Sequence, residues 1–199
     1  CPGIKPSAGE KLLAGGGFEL PANKSRTIQL PLLWSGVFWS RHGCTFDKYG
    51  RGRCTTGDCG GYLSCNGSGG SPPATLAEFT LGLLDFYDVS LVDGYNVLTI
   101  CNVLVINRAV EEAKQAKHWL AARYIKYVFR PLFHKSLFSS AHCCTRLFGN
   151  PISCKQTAYS KIFKTACPTA HSYAYDDPIS IFTCSKANYI VTFCSHHRR

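Results

Sequence analysis

The sequence predicts a mainly β domain, an antiparallel sandwich or barrel braced by disulfides, and three observations carry that expectation. Short strand-like runs recur at roughly ten-residue spacing between turn residues. Twelve cysteines occur in a 199-residue chain of which only 17% is charged, a usage that belongs to an oxidising compartment. The stretch from Gly50 to Cys65, GRGRCTTGDCGGYLSC, holds three cysteines and five glycines in sixteen residues. So much glycine leaves little side chain to pack, and covalent links must supply the order.

Cys44 lies ten residues before Cys54, and six residues separate Cys59 from Cys65. Two small successive loops are the simplest pairing, although sequence alone leaves other connectivities open. Another small cysteine loop runs from His142 to Cys154 and contains Cys144. No CxxC pair or Cys/His spacing fits a zinc site, so disulfides are preferred over metal binding. A chain of this length can bury a real core. It has no run of 18 apolar residues, so no membrane-spanning helix is expected. Sequons at Asn23 and Asn66 fit a secreted glycoprotein. The chain lacks Met and begins at Cys1, which reads as a removed leader or a fragment.

The elements follow in order. Residues Cys1 to Gly17 read as loop, rich in Gly, Pro and Lys, with one short segment at Lys11 to Leu13. Phe18 to Leu20, Ser25 to Leu30 and Gly36 to Ser40 read as short strands, with period-two alternation in Arg26 to Leu30. Trp34, Phe38 and Trp39 are core aromatics by default, with sugar stacking as the alternative. Asn66 to Pro73 is a Gly/Ser/Pro loop. Thr75 to Thr80 and Asp85 to Asp93 are strands, the second closed by the turn dipeptide Asp93-Gly94. An apolar run follows from Val97 to Ile106. Residues 107–130 then show helical spacing, with Glu111 and Glu112 at the N-terminal end, Lys126 and Arg130 at the other, and Pro131 as the stop. Lys161 to Lys164, Ser172 to Asp177 and Tyr189 to Phe193 complete the chain, the last two as strands, ahead of a frayed His196-His197 tail.

The net charge of +10 is unevenly placed: between Ala113 and Tyr175 there are ten Lys and Arg and no acid. A basic face favours anionic surfaces such as cell walls or membranes. The plainer alternative is a secreted protein of high pI. The basic stripe of 107–130 either packs on the domain or touches a membrane. No Ser/His/Asp arrangement, phosphate loop or metal cluster stands out. No cofactor, metal or nucleic-acid partner is expected, and the chain is expected to be a monomer.

The Gly50 to Cys65 stretch with Cys44-Thr-Phe-Asp before it resembles the thaumatin-like proteins, the fifth class of plant pathogenesis-related proteins. The resemblance continues through TLAEFT, DFYDVSLVDGYN, CCTRLFGNPISC, YSKIFKTACPTAHSYAYDDP and YIVTFC, about three quarters of the chain. It implies a flattened antiparallel β-sandwich, disulfide-braced, with a smaller helix-containing lobe. Residues 1–96 would form the first part of the sandwich, 97–166 the lobe, and 167–199 the returning strands. It also implies secretion to the apoplast or vacuole, antifungal defence, and binding of β-1,3-glucan or the fungal cell wall in an acidic cleft. Glu78, Asp88, Asp93 and Asp176 match the cleft acids, and the cleft's usual arginine falls on Val37. Residues 97–141 depart from the resemblance, and the family's first strand is not matched. The pairing of Cys1, Cys101, Cys143, Cys167, Cys184 and Cys194 stays open.

Two chemistries follow. Glu78 as acid with Asp93 as nucleophile or base would make a weak endo-β-1,3-glucanase. Alternatively, the four acids only bind sugar hydroxyls. A membrane-perturbing protein and a non-functional relative are the remaining readings. Clustered acids raise one another's pKa, and Val37 in place of a cation strengthens that shift. Strict alternation puts Asp88 and Asp93 on opposite faces, so they share a cleft only across a bulge or if Asp93 lies in the turn. Asp58 reads as a turn and backbone-capping residue.

Overall fold

A computed structural model describes residues 1–96, 104–106, 144, 146–176 and 180–193. Its centre is a five-stranded antiparallel sheet built from β1 (Pro2–Pro6), β2 (Ser35–Ser40), β5 (Leu76–Thr80), β6 (Asp85–Ser90) and β8 (Phe182–Cys184), adjacent in that order. Two small two-stranded ladders accompany it: β3 (Thr45–Phe46) with β4 (Gly52–Arg53), and β7 (Leu104–Ile106) with β9 (Asn188–Ile190). One α-helix, α1 (Ala158–Ala166), and two short 3-10 turns, Ala14–Gly16 and Arg146–Phe148, complete the regular structure among the described residues. The protein is mainly β, as the strand spacing predicts.

Alternation divides the sheet into two faces. Ile4, Phe38, Ala77, Phe79 and Val89 point to one side and join Trp34, Leu91, Phe163 and Ala170 in the main core. Phe79 meets Phe38 edge-on at 5.8 Å and Tyr189 of β9 at 5.2 Å, and Tyr189 in turn lies 5.3 Å from Tyr87. Beneath these rings the Tyr189 hydroxyl donates to buried Asp85 at 2.8 Å, so the polar atom that enters the core is paired.

The other face carries a smaller cluster around Trp39, made with Cys59, Cys65 and Ala74 and flanked by Val37 and Leu76. Trp34 and Trp39 are both fully buried, which settles them as core and not as sugar platforms. Trp39 donates from Nε1 to the Gly57 carbonyl at 2.8 Å. Its ring lies so close over Gly3 that a β-carbon there would collide with it.

The disulfides Cys44–Cys54, Cys59–Cys65 and Cys144–Cys154 form as the short spacings suggest. Cys167 is also disulfide-bonded, and Cys184 is a free thiol. Asp58 caps the glycine-rich turn, accepting from the amides of Cys54, Gly60 and Gly61 at 2.9, 3.1 and 2.9 Å.

Four expectations need correction. Residues 2–6 form a strand, not a loop. Pro2, Ile4 and Pro6 share one parity opposite Ser40, Phe38 and Gly36. The amide of Ser7 donates to Ser35 of β2 and the carbonyl of Cys1 accepts from Arg41 just past it, both of the other parity, so the two prolines forfeit no ladder bond on this edge strand. Phe18 to Leu20 and Ser25 to Leu30 are irregular, although Phe18, Leu20, Ile28 and Leu30 all pack on the core. Their alternation reflects one-sided burial without a ladder partner. Ser172 to Tyr175 is turn and bend; Asp176 ties the segment to itself by accepting from the Ser172 amide at 2.7 Å. The segment around Lys161, to which the sequence pattern assigns no element, is a helix, opened by a reciprocal Thr157–Ser160 capping box. The last strand ends at Ile190, short of Phe193. The expected helix at 107–130, along with Cys101, Cys143 and Cys194, lies outside the described residues.

Candidate functional site: an acidic cleft on the second sheet face

Register assembles the site. Val37 on β2 is opposite Glu78 on β5, and Glu78 is opposite Asp88 on β6. Directly opposed residues of an antiparallel pair project to the same side, so Val37, Glu78 and Asp88 form one lateral row. On the far side of Val37 the row continues to Lys5 of β1. Leu76 and Ser90 share this face one step along.

Asp93 joins them from outside the strand. β6 ends at Ser90, and residues 92–93 turn, with the Gly94 amide donating to Leu91 at 3.0 Å and Gly94 at φ +92°. The turn resolves the parity conflict between Asp88 and Asp93. Glu78, Asp88 and Asp93 line an open cleft of about 410 Å³ together with Leu76, Ser90, Val92, His171, Ala174 and Ile181. A shallower extension shares Glu78, Asp88 and Ile181 and reaches Phe86.

Asp176 is placed differently. Its side chain is 5% exposed and ion-pairs with Lys164 at 3.0 Å. It also accepts from the amide and hydroxyl of Ser172, at 2.7 and 2.8 Å. Asp176 therefore stands behind the cleft wall, engaged in holding α1 against the 172–176 turn. It is not among the residues that line the cleft.

The electrostatics follow from crowding acids with no facing cation at position 37. Burial, then the charge of Glu78, then a hydrogen bond that favours its protonated form push the Asp88 carboxyl up to about 8. Asp88 is thus largely a neutral acid at pH 7, donating to Glu78. Burial and the Asp93 charge raise Glu78, while the Asp88 hydrogen bond opposes them. Lost solvation raises Asp93, which keeps the largest exposed surface of the three, and Lys5 opposes that shift. Both carboxyls of the pair are thereby shifted toward their protonated forms.

Two charged or titratable neighbours are not apparent from the sequence pattern. Lys5 comes beside Val37, where its charge acts on Asp93, only because β1 is a strand. His171 enters because residues 170–172 run beside the end of β6: Ser90 bridges His171 in parallel, Leu91 donates to the His171 carbonyl at 2.7 Å, and the His171 amide donates to Val89 at 2.8 Å. Lys5 lies in no motif that carries the resemblance, and His171 lies in one that marks no role for it, so long-range pairing is the signal that places both. Arg41, 2% exposed, is a third residue missed. It holds the N-terminal strand to the cysteine stretch through the carbonyls of Cys1, Pro2, Tyr62 and Leu63 at 2.8 to 3.2 Å. The cleft residues do not include any metal-binding group of three or more His, Cys, Asp or Glu among the described residues.

Comparison with known proteins agrees with this architecture. A thaumatin-like protein of Arabidopsis thaliana is 62% identical over 208 aligned residues, covering 99% of this chain and 86% of that protein. Pathogenesis-related protein 5 of the same plant is 48% identical over 201 residues, covering 92% and 80%. Among solved structures, the thaumatin-like xylanase inhibitor is 33% identical with a TM-score of 0.42, over 52% of this chain and 66% of that one. The family profile described as the thaumatin family matches residues 1–195. The sheet, the disulfides and that match show that the chain belongs to the thaumatin family, a membership that supports a role in plant defence.

Proposed function

We propose that the protein is a secreted defence protein that binds β-1,3-glucan of the fungal wall in the cleft lined by Glu78, Asp88 and Asp93. The supporting observation is the Val37–Glu78–Asp88 row, which sets two carboxyls side by side, that of Asp88 largely protonated at neutral pH. A sugar hydroxyl is both donor and acceptor, and such a pair offers it both complements. Hydrogen bonds to a carboxylate in its ionised form are the stronger ones. The ten basic residues between 113 and 175 hold the molecule near anionic wall polymers. The disulfides fit an extracellular location. Calorimetric titration with a linear β-1,3-glucan hexasaccharide at pH 7 tests the reading. Glu78→Ala and Asp88→Ala are each expected to weaken binding about tenfold. Undiminished binding by both variants refutes it.

The raised carboxyls also favour a hydrolytic reading. Glu78 would protonate the glycosidic oxygen as the C–O bond breaks, and Asp93 would attack the anomeric carbon or take a proton from the incoming water. A reducing-end assay decides this. Turnover abolished by Glu78→Gln supports the glucanase; binding without turnover, or turnover that survives the substitution, removes it.

A further inference from the structure

His171 has no role in any reading so far, yet its position is specific. It lines the same cleft as Asp88. Its Nε2 and the Asp88 Oδ1 are both buried, and neither has a hydrogen-bond partner among the described residues. Buried polar atoms are ordinarily paired, and each orphan requires an explanation. Here the two orphans belong to residues that line one cavity. The Ser90–His171 bridge sets the two residues one strand apart and two residues along, with Ser90 between them. That offset is about 8 Å between backbones, and the bridge puts His171 on the same sheet face as Ser90 and Asp88.

We infer that His171 is a ligand-contacting residue of this cleft, and that its Nε2 and the Asp88 Oδ1 together clasp one hydroxyl of a bound saccharide. In the tautomer with the proton on Nε2, the imidazole donates to the hydroxyl oxygen. The same hydroxyl donates to Asp88 Oδ1, the oxygen left over when protonated Asp88 donates to Glu78. One hydroxyl thereby satisfies both orphans. A neutral imidazole suits the task. Burial lowers the His171 pKa; the Asp176 charge behind it opposes, and Lys164 adds to the lowering. Glu78, Asp88 and Asp93 face it from the cleft side. The inference rests on the cleft being a saccharide site, and names the contact that selects a hydroxyl over an apolar group.

The test uses the intact protein with three hexasaccharides: linear β-1,3-glucan, β-1,4-glucan and β-1,4-xylan. Binding is measured calorimetrically, and the His171 imidazole 15N resonances are followed in parallel. For the bound saccharide, His171→Phe is expected to lose about three- to tenfold in affinity, the range of one hydrogen bond. His171→Gln, which keeps a donor and an acceptor, is expected to retain most of it, and Nε2 is expected to shift on saturation. Saturation without an Nε2 shift, or full affinity in the folded Phe variant, overturns the inference and leaves the glucan proposal standing. A shift with xylan or β-1,4-glucan alone overturns the glucan proposal and upholds the inference. No binding of any saccharide overturns both.

Discussion

Val37→Arg returns a cation to the row that now lacks one facing Glu78, and its effect can be worked from the register. Val37 is directly opposite Glu78, one strand away, and Asp88 is two strands away. Adjacent strands are about 4.8 Å apart, so a guanidinium at position 37 can sit about 6 Å from the Glu78 carboxyl. At an effective dielectric of about 20 to 40, a charge pair at that distance is worth about 1.4 to 2.8 kcal/mol, or about one to two pK units. Glu78 should fall by that amount, and Asp88 by about half as much. Glu78 and Asp88 interact strongly, so the observable is the pair of macroscopic midpoints, read from carboxyl 13C shifts across pH 3 to 10. Val37→Leu, which fills the position without charge, is expected to leave both midpoints in place. Midpoints unmoved in the Arg variant would refute the assignment of Val37 to the cleft row.

The remaining expectations are independent of that row's cation. Asp88 binds its proton more tightly folded than unfolded, so its contribution to stability is full below about pH 4 and is lost as pH rises through about 8. Asp88→Asn should flatten that fall and stabilise the protein by about 1 to 3 kcal/mol at pH 8.5 in urea unfolding, discounted for partial solvent access; an unchanged pH slope contradicts the Asp88 assignment. Arg41→Ala strips donors from four carbonyls and is expected to cost about 3 to 5 kcal/mol, with Lys recovering part of it. A loss under 1 kcal/mol would show that Arg41 does not join β1 to the cysteine stretch. Gly3→Ala forces the Trp39 ring to move and should cost about 1 to 3 kcal/mol with an altered tryptophan emission; native emission and stability would contradict the close packing.

What could be read in advance was whatever is local in sequence. β2, β5 and β6 announce themselves by alternation, and the short cysteine loops by spacing. Ser25 to Leu30 alternates equally well yet has no ladder, because burial and backbone pairing are separate properties. β1 was concealed by its prolines, whose cost vanishes at a sheet edge. Three cleft acids came from a motif match, and the turn at residues 92–93 reconciled Asp93 with Asp88. Asp176 matched the motif just as well, but Lys164 and Ser172 engage its carboxylate behind the wall. Lys5, Arg41 and His171 depend on partners more than 20 residues away, a distance over which single-sequence periodicity is silent.

The central claim is that saccharide binds where Glu78, Asp88 and Asp93 meet. The most direct measurement follows the carboxyl carbons of these three residues while the β-1,3-glucan hexasaccharide is titrated at pH 7. Saturable shifts of Glu78 and Asp88, with the midpoint matching the calorimetric affinity and Asp58 unmoved, are expected. Saturated binding with all three cleft carboxyls unmoved would contradict the account.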